Sequence, residues 1–219
     1  MPPLFPPRSN FIARASLIAL PILVVAIVVG LVLYGASSAV TQVGVPVAQP
    51  VPFPHTFHVT AVKLDCRYCH ASVDKSSFAD LPPTETCMTC HSQILLASPN
   101  LIPVHESWES GQPIQWTKVN QLADFVFFNH EIHVNKGVGC ETCHGRVDQM
   151  TTDVKENSFY MAWCLDCHRN PEKFLRPVEE VMTMGYQPAE NQLVVGAKLV
   201  KDYEILPASQ LINCSICHR

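Results

Sequence analysis

The stretch FNHEIHVNKGVGCETCHG (residues 128–145) places two histidines before a Cys-x-x-Cys-His motif. His130 and His133 are three residues apart, and the motif begins seven residues later, at Cys140. On a helical turn, residues i, i+3 and i+4 share one face, so the two thiols and the histidine of the motif point the same way. This arrangement is the attachment pattern of c-type haem.

All ten cysteines of the chain fall in five copies of this motif, which we number one to five in chain order. A single copy could also be a redox pair, half of a zinc site or a disulfide in an exported chain. Five copies with no cysteine left over favour five covalently bound haem c groups. The predicted attachment cysteines are Cys66, Cys69, Cys87, Cys90, Cys140, Cys143, Cys164, Cys167, Cys214 and Cys217, and the proximal iron ligands are His70, His91, His144, His168 and His218.

Five of the ten histidines lie outside the motifs, and we call them the spare histidines: His55, His58, His105, His130 and His133. Five irons and five spare histidines predict that each iron has a histidine on both faces. The alternative is a methionine on one or two irons, which raises the potential of that haem. The candidate methionines are Met150, Met161, Met182 and Met184.

The N-terminal region predicts a membrane anchor. Residues 15–36 carry no charge, and as a helix they would span about 33 Å, enough to cross a bilayer. The alternative is a signal peptide cleaved near Ala39. Arg8 and Arg14 precede the segment and the next charge is Lys63. We therefore expect a single pass through a bacterial inner membrane, with the N-terminus cytoplasmic and the haem domain on the periplasmic side.

The predicted organisation has three parts. Residues 1–36 are the cytoplasmic N-terminus and transmembrane anchor, residues 37–54 are a proline-rich extended linker, and residues 55–219 are a pentahaem cytochrome c domain. An internal two-haem repeat runs over 55–91 and 130–168, because both segments read H-x-x-H-V followed by two Cys-x-x-Cys-His motifs. The fold class is one transmembrane helix plus mainly short helices and irregular loops wrapped around haems, with little β-structure.

Regular secondary structure is weakly indicated elsewhere. The chain has 18 prolines and few long periodic runs. Residues 178–185 predict a short helix, and residues 192–206 predict either a helix or a hairpin. The formal net charge is −4, and the 15 lysines and arginines are scattered. This distribution gives no indication of nucleic-acid binding.

The paired histidines before Cys-x-x-Cys-His resemble those of multihaem cytochromes of the c3 and c7 type. That resemblance implies that His130 binds the iron of the motif that follows it, and that His55 does the same in the first repeat. It implies that His133 reaches across to another haem.

Four longer stretches resemble the pentahaem c-type cytochrome subunit of alternative complex III, a quinol:electron acceptor oxidoreductase. They are FPPRSN (5–10), LPPTETCMTCHS (81–92), DFVFFNHEIHVNKGVGCETCHGRVD (124–148) and MAWCLDCHRNPEKFLRP (161–177). The resemblance covers nearly the whole chain apart from residues 178–206. It implies an electron-relay subunit with an iron–sulfur subunit, polytopic quinol-binding membrane subunits and a monohaem cytochrome c subunit as partners. The implied final acceptor is a soluble periplasmic protein.

Two other functions remain open from the sequence. One is a membrane-anchored quinol dehydrogenase of the NapC/NrfH kind that feeds a periplasmic reductase, although residues 37–62 hold no Asp, Glu, Lys or Arg to handle the quinol proton. The other is a multihaem enzyme, such as a nitrite or hydroxylamine reductase, which needs an iron with an open position. The match between spare histidines and irons favours a relay that is not a catalyst by itself.

Overall fold

The computed structural model describes residues 5–218. Within that range the chain divides after Val43 into two compact units. The boundary lies inside the proline-rich segment.

The first unit is dominated by one long apolar helix, α1 (Ser9–Ala36), of 28 residues. Its length corresponds to about 42 Å at 1.5 Å per residue. It begins six residues before the uncharged run and is, among the described residues, the one helix long and apolar enough to cross a membrane. A second short helix, α2 (Ser38–Thr41), follows directly. The segment predicted as an extended linker from residue 37 onward therefore begins with a helical turn. Its first proline, Pro46, comes only after that turn.

The second unit is built from short helices. The α-helices are α3 (Cys66–Cys69), α4 (Thr84–His91), α5 (Ile102–Ser110), α6 (His130–Asn135), α7 (Cys140–His144), α8 (Met161–Arg169), α9 (Gln192–Asp202), α10 (Ala208–Leu211) and α11 (Cys214–Cys217). A π-helical turn covers Thr56–Ala61, and 3-10 turns cover Pro99–Leu101, Val147–Gln149, Pro171–Lys173 and Val178–Glu180. The only β-pairing within residues 5–218 is two isolated bridges, Pro46 with Val154 and Val138 with Leu175.

Each Cys-x-x-Cys-His motif forms or ends a short helix, as its spacing predicts. In two motifs a polar residue before the first cysteine caps the helix. The Asp65 side chain accepts a hydrogen bond from the Arg67 backbone N–H, and the Asn213 side chain accepts one from Ser215. Such caps satisfy backbone donors that a four-residue helix leaves free.

The buried apolar residues form two small clusters beside motif helices. Val51, Leu101 and Val104 make one cluster, against which Cys87 of α4 packs. The second cluster contains Val73, Val134 and Val181, and Cys140 of α7 packs against it. The packing therefore fixes the second and third motifs.

The region without a motif, residues 178–206, folds against the fourth motif. Helix α9 packs on the turn Pro171–Lys173 that follows α8. Gly196 lies so close to the Glu172 carbonyl that a Cβ there would collide with it. Residues 192–206 are thus mainly helix rather than hairpin, while the helix predicted over 178–185 is only the turn Val178–Glu180.

Candidate haem-binding sites

Two equivalent segments position four of the five spare histidines. In each, a phenylalanine two residues before the first histidine stacks on the second histidine. Phe53 stacks on His58 with ring centroids 4.3 Å apart, and Phe128 stacks on His133 at 4.5 Å. Each phenylalanine also meets the first histidine edge-on, at 4.9 Å and 4.7 Å respectively. The two pairs of imidazoles are therefore held by the same aromatic contact.

Three spare histidines face a motif histidine across a gap of constant width. The ring centroids are 6.2–6.4 Å apart in three pairs: His58 with His91, His130 with His144, and His133 with His168. Two imidazoles that bind one metal ion from opposite sides, at about 2.0 Å per bond, place their ring centroids about 6 Å apart. The spacing of these pairs fits one iron between each two rings.

The remaining ring nitrogens support this fit. In eight histidines Nδ1 is engaged by another group, which leaves Nε2 as the metal-binding atom. The partners are Asp153 for His55, backbone carbonyls for His58, His70, His130, His133, His168 and His218, and the Asn120 amide for His144. A hydrogen bond at the second ring nitrogen is what orients and fixes the tautomer of metal-ligating histidines.

Loops from each repeat support the other repeat. The Ser77 carbonyl, from the loop after the first motif, accepts from the Nδ1 of His130 at 2.9 Å. Asp153, from the loop after the third motif, contacts the Nδ1 of His55 at 2.8 Å. The Thr56 backbone N–H donates to the carbonyl of Met150 in that same loop. Each histidine segment is thus held in place by a loop from the other repeat.

Contacts between motifs connect the first motif to both the second and the third. The Tyr68 hydroxyl and the Thr89 hydroxyl are 2.7 Å apart, which joins α3 to α4. The thiols of Cys66 and Cys140 lie close enough for each to shift the pKa of the other, which places α3 beside α7. The first motif therefore lies between the second and third.

The fourth and fifth motifs continue this order. Burial, and then the nearby thiols of Cys167 and Cys164, raise the pKa of Cys143 to about 12. The Leu211 carbonyl in α10, just before the fifth motif, accepts from the Nδ1 of His168 at 2.9 Å. The contact order of the motifs is second, first, third, fourth, fifth, which differs from their order in the chain.

Burial favours the neutral form of three of the paired imidazoles, which is the form that binds a metal. Desolvation, followed by the neighbouring His130 and His70, lowers the pKa of His144 to about 4. Desolvation also lowers the pKa of His58 and of His133. The lowered pKa values of these three rings disfavour the protonation that would compete with metal binding.

A buried ionic cluster fixes the third motif. Glu141, inside the motif, accepts from Arg176 at 2.8 Å and from the backbone N–H of Gly185 at 2.6 Å. The Arg176 side chain is only 9% exposed, and its guanidinium lies over the ring of Tyr186. A Cβ at Gly139 would collide with that guanidinium. Arg176 and Gly185, which follow the fourth motif in the chain, thus hold α7 in place.

His55 and His105 form no ring pair with a motif histidine in the part of the chain described. His55 is close enough to His70 to contribute to the lowering of its pKa, after desolvation and other contacts. His105 lies in α5, whose Val104, together with Leu101 just before the helix, borders the second motif. Its Nε2 is buried without a hydrogen-bond partner. Among the ring pairs within residues 5–218, none includes His105.

Several residues that contact the histidines cannot be recognised from the motifs. Asp153, Asn120 and Ser77 are distant in sequence from the histidines that they contact. Phe53 and Phe128, in contrast, share a signal that the repeat contains, because both copies read F-x-H-x-x-H-V. None of the ten cysteines forms a disulfide in the described part of the chain.

Comparison with known proteins agrees with this geometry. Residues 126–219 match the family described as cytochrome c7 and related cytochrome c. The second unit contains a cytochrome c7-like domain. The predicted fold class, one apolar N-terminal helix followed by short helices with little β-structure, is confirmed.

One relative carries a description of its role. Over 97 residues the chain is 37% identical to the menaquinone reductase multihaem cytochrome c subunit of Nitratidesulfovibrio vulgaris (strain Hildenborough). The match covers 44% of this chain and 45% of the relative, so it spans less than half of either protein.

Proposed function

We propose that the chain binds five haem c groups through its five motifs and carries electrons between them. The observation that supports this most directly is the spacing of 6.2–6.4 Å between three spare histidines and three motif histidines. When bound, each haem supplies a one-electron ferric/ferrous couple. The protein supplies the attachment thiols, both axial ligands, their orientation and the exclusion of water.

The proposed ligand pairs follow from the ring geometry and the repeat. His58 pairs with His91, His130 with His144, and His133 with His168. By the equivalence of the two repeats, His55 pairs with His70. His105 is proposed as a distal ligand on the ligand count alone, with its buried Nε2 as the binding atom: the motif histidine left unpaired is His218 of the fifth motif, whereas the helix of His105 lies beside the second motif.

The contact order of the motifs supports a relay rather than five independent sites. Each motif contacts the next in the order second, first, third, fourth, fifth. The second and fifth motifs are the two ends of this order, so we propose them as the points at which electrons enter and leave. The duplication of residues 55–91 and 130–168 is proposed on the shared sequence pattern and the reciprocal loop contacts.

We propose that α1 anchors the chain in a bacterial inner membrane, with the N-terminus cytoplasmic and the second unit periplasmic. The length and apolar composition of the helix support the anchor. Arg8 and Arg14 lie before the apolar run, which supports the orientation. Because haem is attached covalently to exported proteins, a periplasmic second unit is also the orientation that haem attachment requires.

In the membrane the chain would serve as the relay subunit of a quinol-oxidising complex of the alternative complex III type. Its proposed partners are an iron–sulfur subunit, polytopic quinol-binding subunits, a monohaem cytochrome c and a soluble periplasmic acceptor. The proposal rests on the sequence resemblance and on the similarity to a subunit of a quinone-linked complex. That relative reduces menaquinone according to its name, so the same relay working toward quinone is the second candidate direction.

Purification of the chain from its native membrane with its bound partners tests the proposal. We expect the isolated complex to contain iron–sulfur and polytopic subunits, and added quinol to reduce its haems. The separated chain should stay oxidised with quinol. Direct reduction of the separated chain would support the NapC/NrfH-like alternative, and reoxidation of the reduced complex by menaquinone would support the reverse direction.

A further inference from the structure

One spare histidine has a charged partner. The Nδ1 of His55 lies 2.8 Å from a carboxylate oxygen of Asp153, and the two side chains are 19% and 26% exposed. Every other histidine Nδ1 contact described for residues 5–218 is made to a backbone carbonyl or to the Asn120 amide. The contact with Asp153 therefore places a full negative charge behind one ligand.

Backbone hydrogen bonds hold Asp153 on both sides. The Val47 N–H donates to the Asp153 carbonyl at 3.1 Å, and the Gly44 N–H donates to the carbonyl of Lys155 at 2.9 Å. Val154, between them, forms the β-bridge with Pro46. The carboxylate is therefore positioned by a fixed backbone rather than by a mobile loop.

The second repeat provides an internal comparison. His130 is the counterpart of His55, and each meets its phenylalanine edge-on at nearly the same distance. The Nδ1 of His130 donates to the neutral carbonyl of Ser77 at 2.9 Å. The two distal histidines thus differ in the charge of the group that accepts from Nδ1.

That difference has a predictable electronic effect. A carboxylate that accepts the Nδ1 proton makes the imidazole a more basic ligand. A more basic ligand stabilises ferric over ferrous iron and so lowers the reduction potential. Hydrogen bonding to a ligand is one of the ways in which a protein tunes a haem.

We propose that Asp153 is a positioning residue that holds the haem bound by His55 at a lower potential than the haem bound by His130. The inference rests on the haem ligation proposed above. In the contact order, the first motif precedes the third. The carboxylate would therefore make the step from the first to the third site downhill for electrons.

A redox titration of the haem-loaded full-length protein tests the inference, with Asp153→Asn as the main variant. Asparagine keeps an acceptor at the same place but removes the charge. We expect one haem to shift upward, with at least a tenfold rise in its ferrous-to-ferric ratio at a fixed potential, or about 59 mV for a one-electron couple. Asp153→Glu should retain a potential close to that of the wild type.

Two further variants serve as controls. Asp80 contacts His70 through its backbone carbonyl only, so Asp80→Asn removes a charge near the same site without altering the Nδ1 partner of His55. It should shift this haem far less. His55→Met identifies the haem, because it should change the spectrum and potential of the same one.

Three results would overturn the inference. An unchanged set of potentials in Asp153→Asn, with a clear effect of His55→Met, would remove the role of Asp153 and leave the ligation intact. An equal shift in Asp80→Asn would reduce the effect to unspecific charge. No change in any haem of His55→Met would remove the ligation itself, and the inference with it.

Discussion

The imidazole rings of His130 and His144 lie 6.4 Å apart between centroids, with planes only 7° from parallel. Asn120 and Ser77 engage the Nδ1 atoms of the two rings, so both Nε2 atoms remain available to one iron. The rings of His133 and His168 are related in the same way, with their centroids 6.2 Å apart. Because His130 and His133 lie in the same short helix, the two haem sites proposed for them share one structural support.

A methionine in place of His133 should alter one haem only. Thioether ligation raises the potential of a haem relative to bis-histidine ligation. We expect His133→Met to keep five haems per chain and to raise the potential of the haem at the fourth motif, measured by spectroelectrochemical titration. His130→Met is the matched control and should raise that of the third motif. A shift of the same haem in both variants would contradict the assignment.

Loss of the aromatic support should disturb two haems together. Phe128 stacks on His133 and meets His130 edge-on, and such ring contacts contribute about 0.5–1.5 kcal/mol each. We expect Phe128→Leu to change the electron paramagnetic resonance signals of two low-spin haems and to leave the other three unchanged. Phe174→Leu is the control, because Phe174 contacts no histidine ring in the part of the chain described. Altered signals in only one haem would argue against the shared support.

The buried arginine at the third motif should be needed for stability. Removing one partner of a buried ion pair costs about 3–5 kcal/mol, because the other charge stays buried. We therefore expect Arg176→Met to lower the free energy of unfolding by that amount, measured by denaturant titration of the haem-loaded protein. The double variant Arg176→Met with Glu141→Gln should recover part of the loss. An Arg176→Met protein as stable as the wild type would show that the contact with Glu141 contributes little.

The Arg146–Asp148 pair should give a pH-dependent contribution to stability. The Arg146 guanidinium, hydrogen-bonded to the carboxylate of Asp148, lowers the pKa of that carboxyl below its ordinary value of 3.8. A lowered folded-state pKa stabilises the protein above the ordinary value, and the contribution is lost as the pH falls through the folded-state pKa. We expect Asp148→Asn to lower Tm by a few degrees at neutral pH, with the difference from wild type shrinking in strong acid. A difference that is constant with pH would contradict the ionic origin.

The sequence predicts the chemistry of this chain better than its spatial arrangement. The five motifs and the apolar N-terminal helix follow from short, local patterns, and the structure forms them as expected. The pairing of His133 with His168 and of His58 with His91 skips the nearest motif in each case. Each of these pairs lies within one repeat, so the skipping depends on how the second motif of a repeat folds back onto its paired histidines, which the local spacing alone does not encode.

The contacts that support the histidines could not be predicted from the sequence either, because they join residues that are far apart in the chain. Asp153 lies 98 residues from His55, and the hydrogen bond between them depends on a loop held by residues near the start of the second unit. After the turn over Val178–Glu180 the chain bends toward the third motif instead of continuing as a helix, since Gly185 has a φ of 71° and its N–H donates to Glu141. The choice between helix and hairpin for residues 192–206 was settled by packing, since Gly196 allows α9 to lie directly on the Glu172 carbonyl.

The account depends on every iron having a protein ligand on both faces. Electron paramagnetic resonance of the fully oxidised, haem-loaded chain, together with a count of haem per chain, tests this most directly. We predict five haems and only low-spin ferric signals. A stoichiometric high-spin signal, or rapid binding of carbon monoxide by the reduced protein, would contradict the relay and indicate an iron that is open to a substrate.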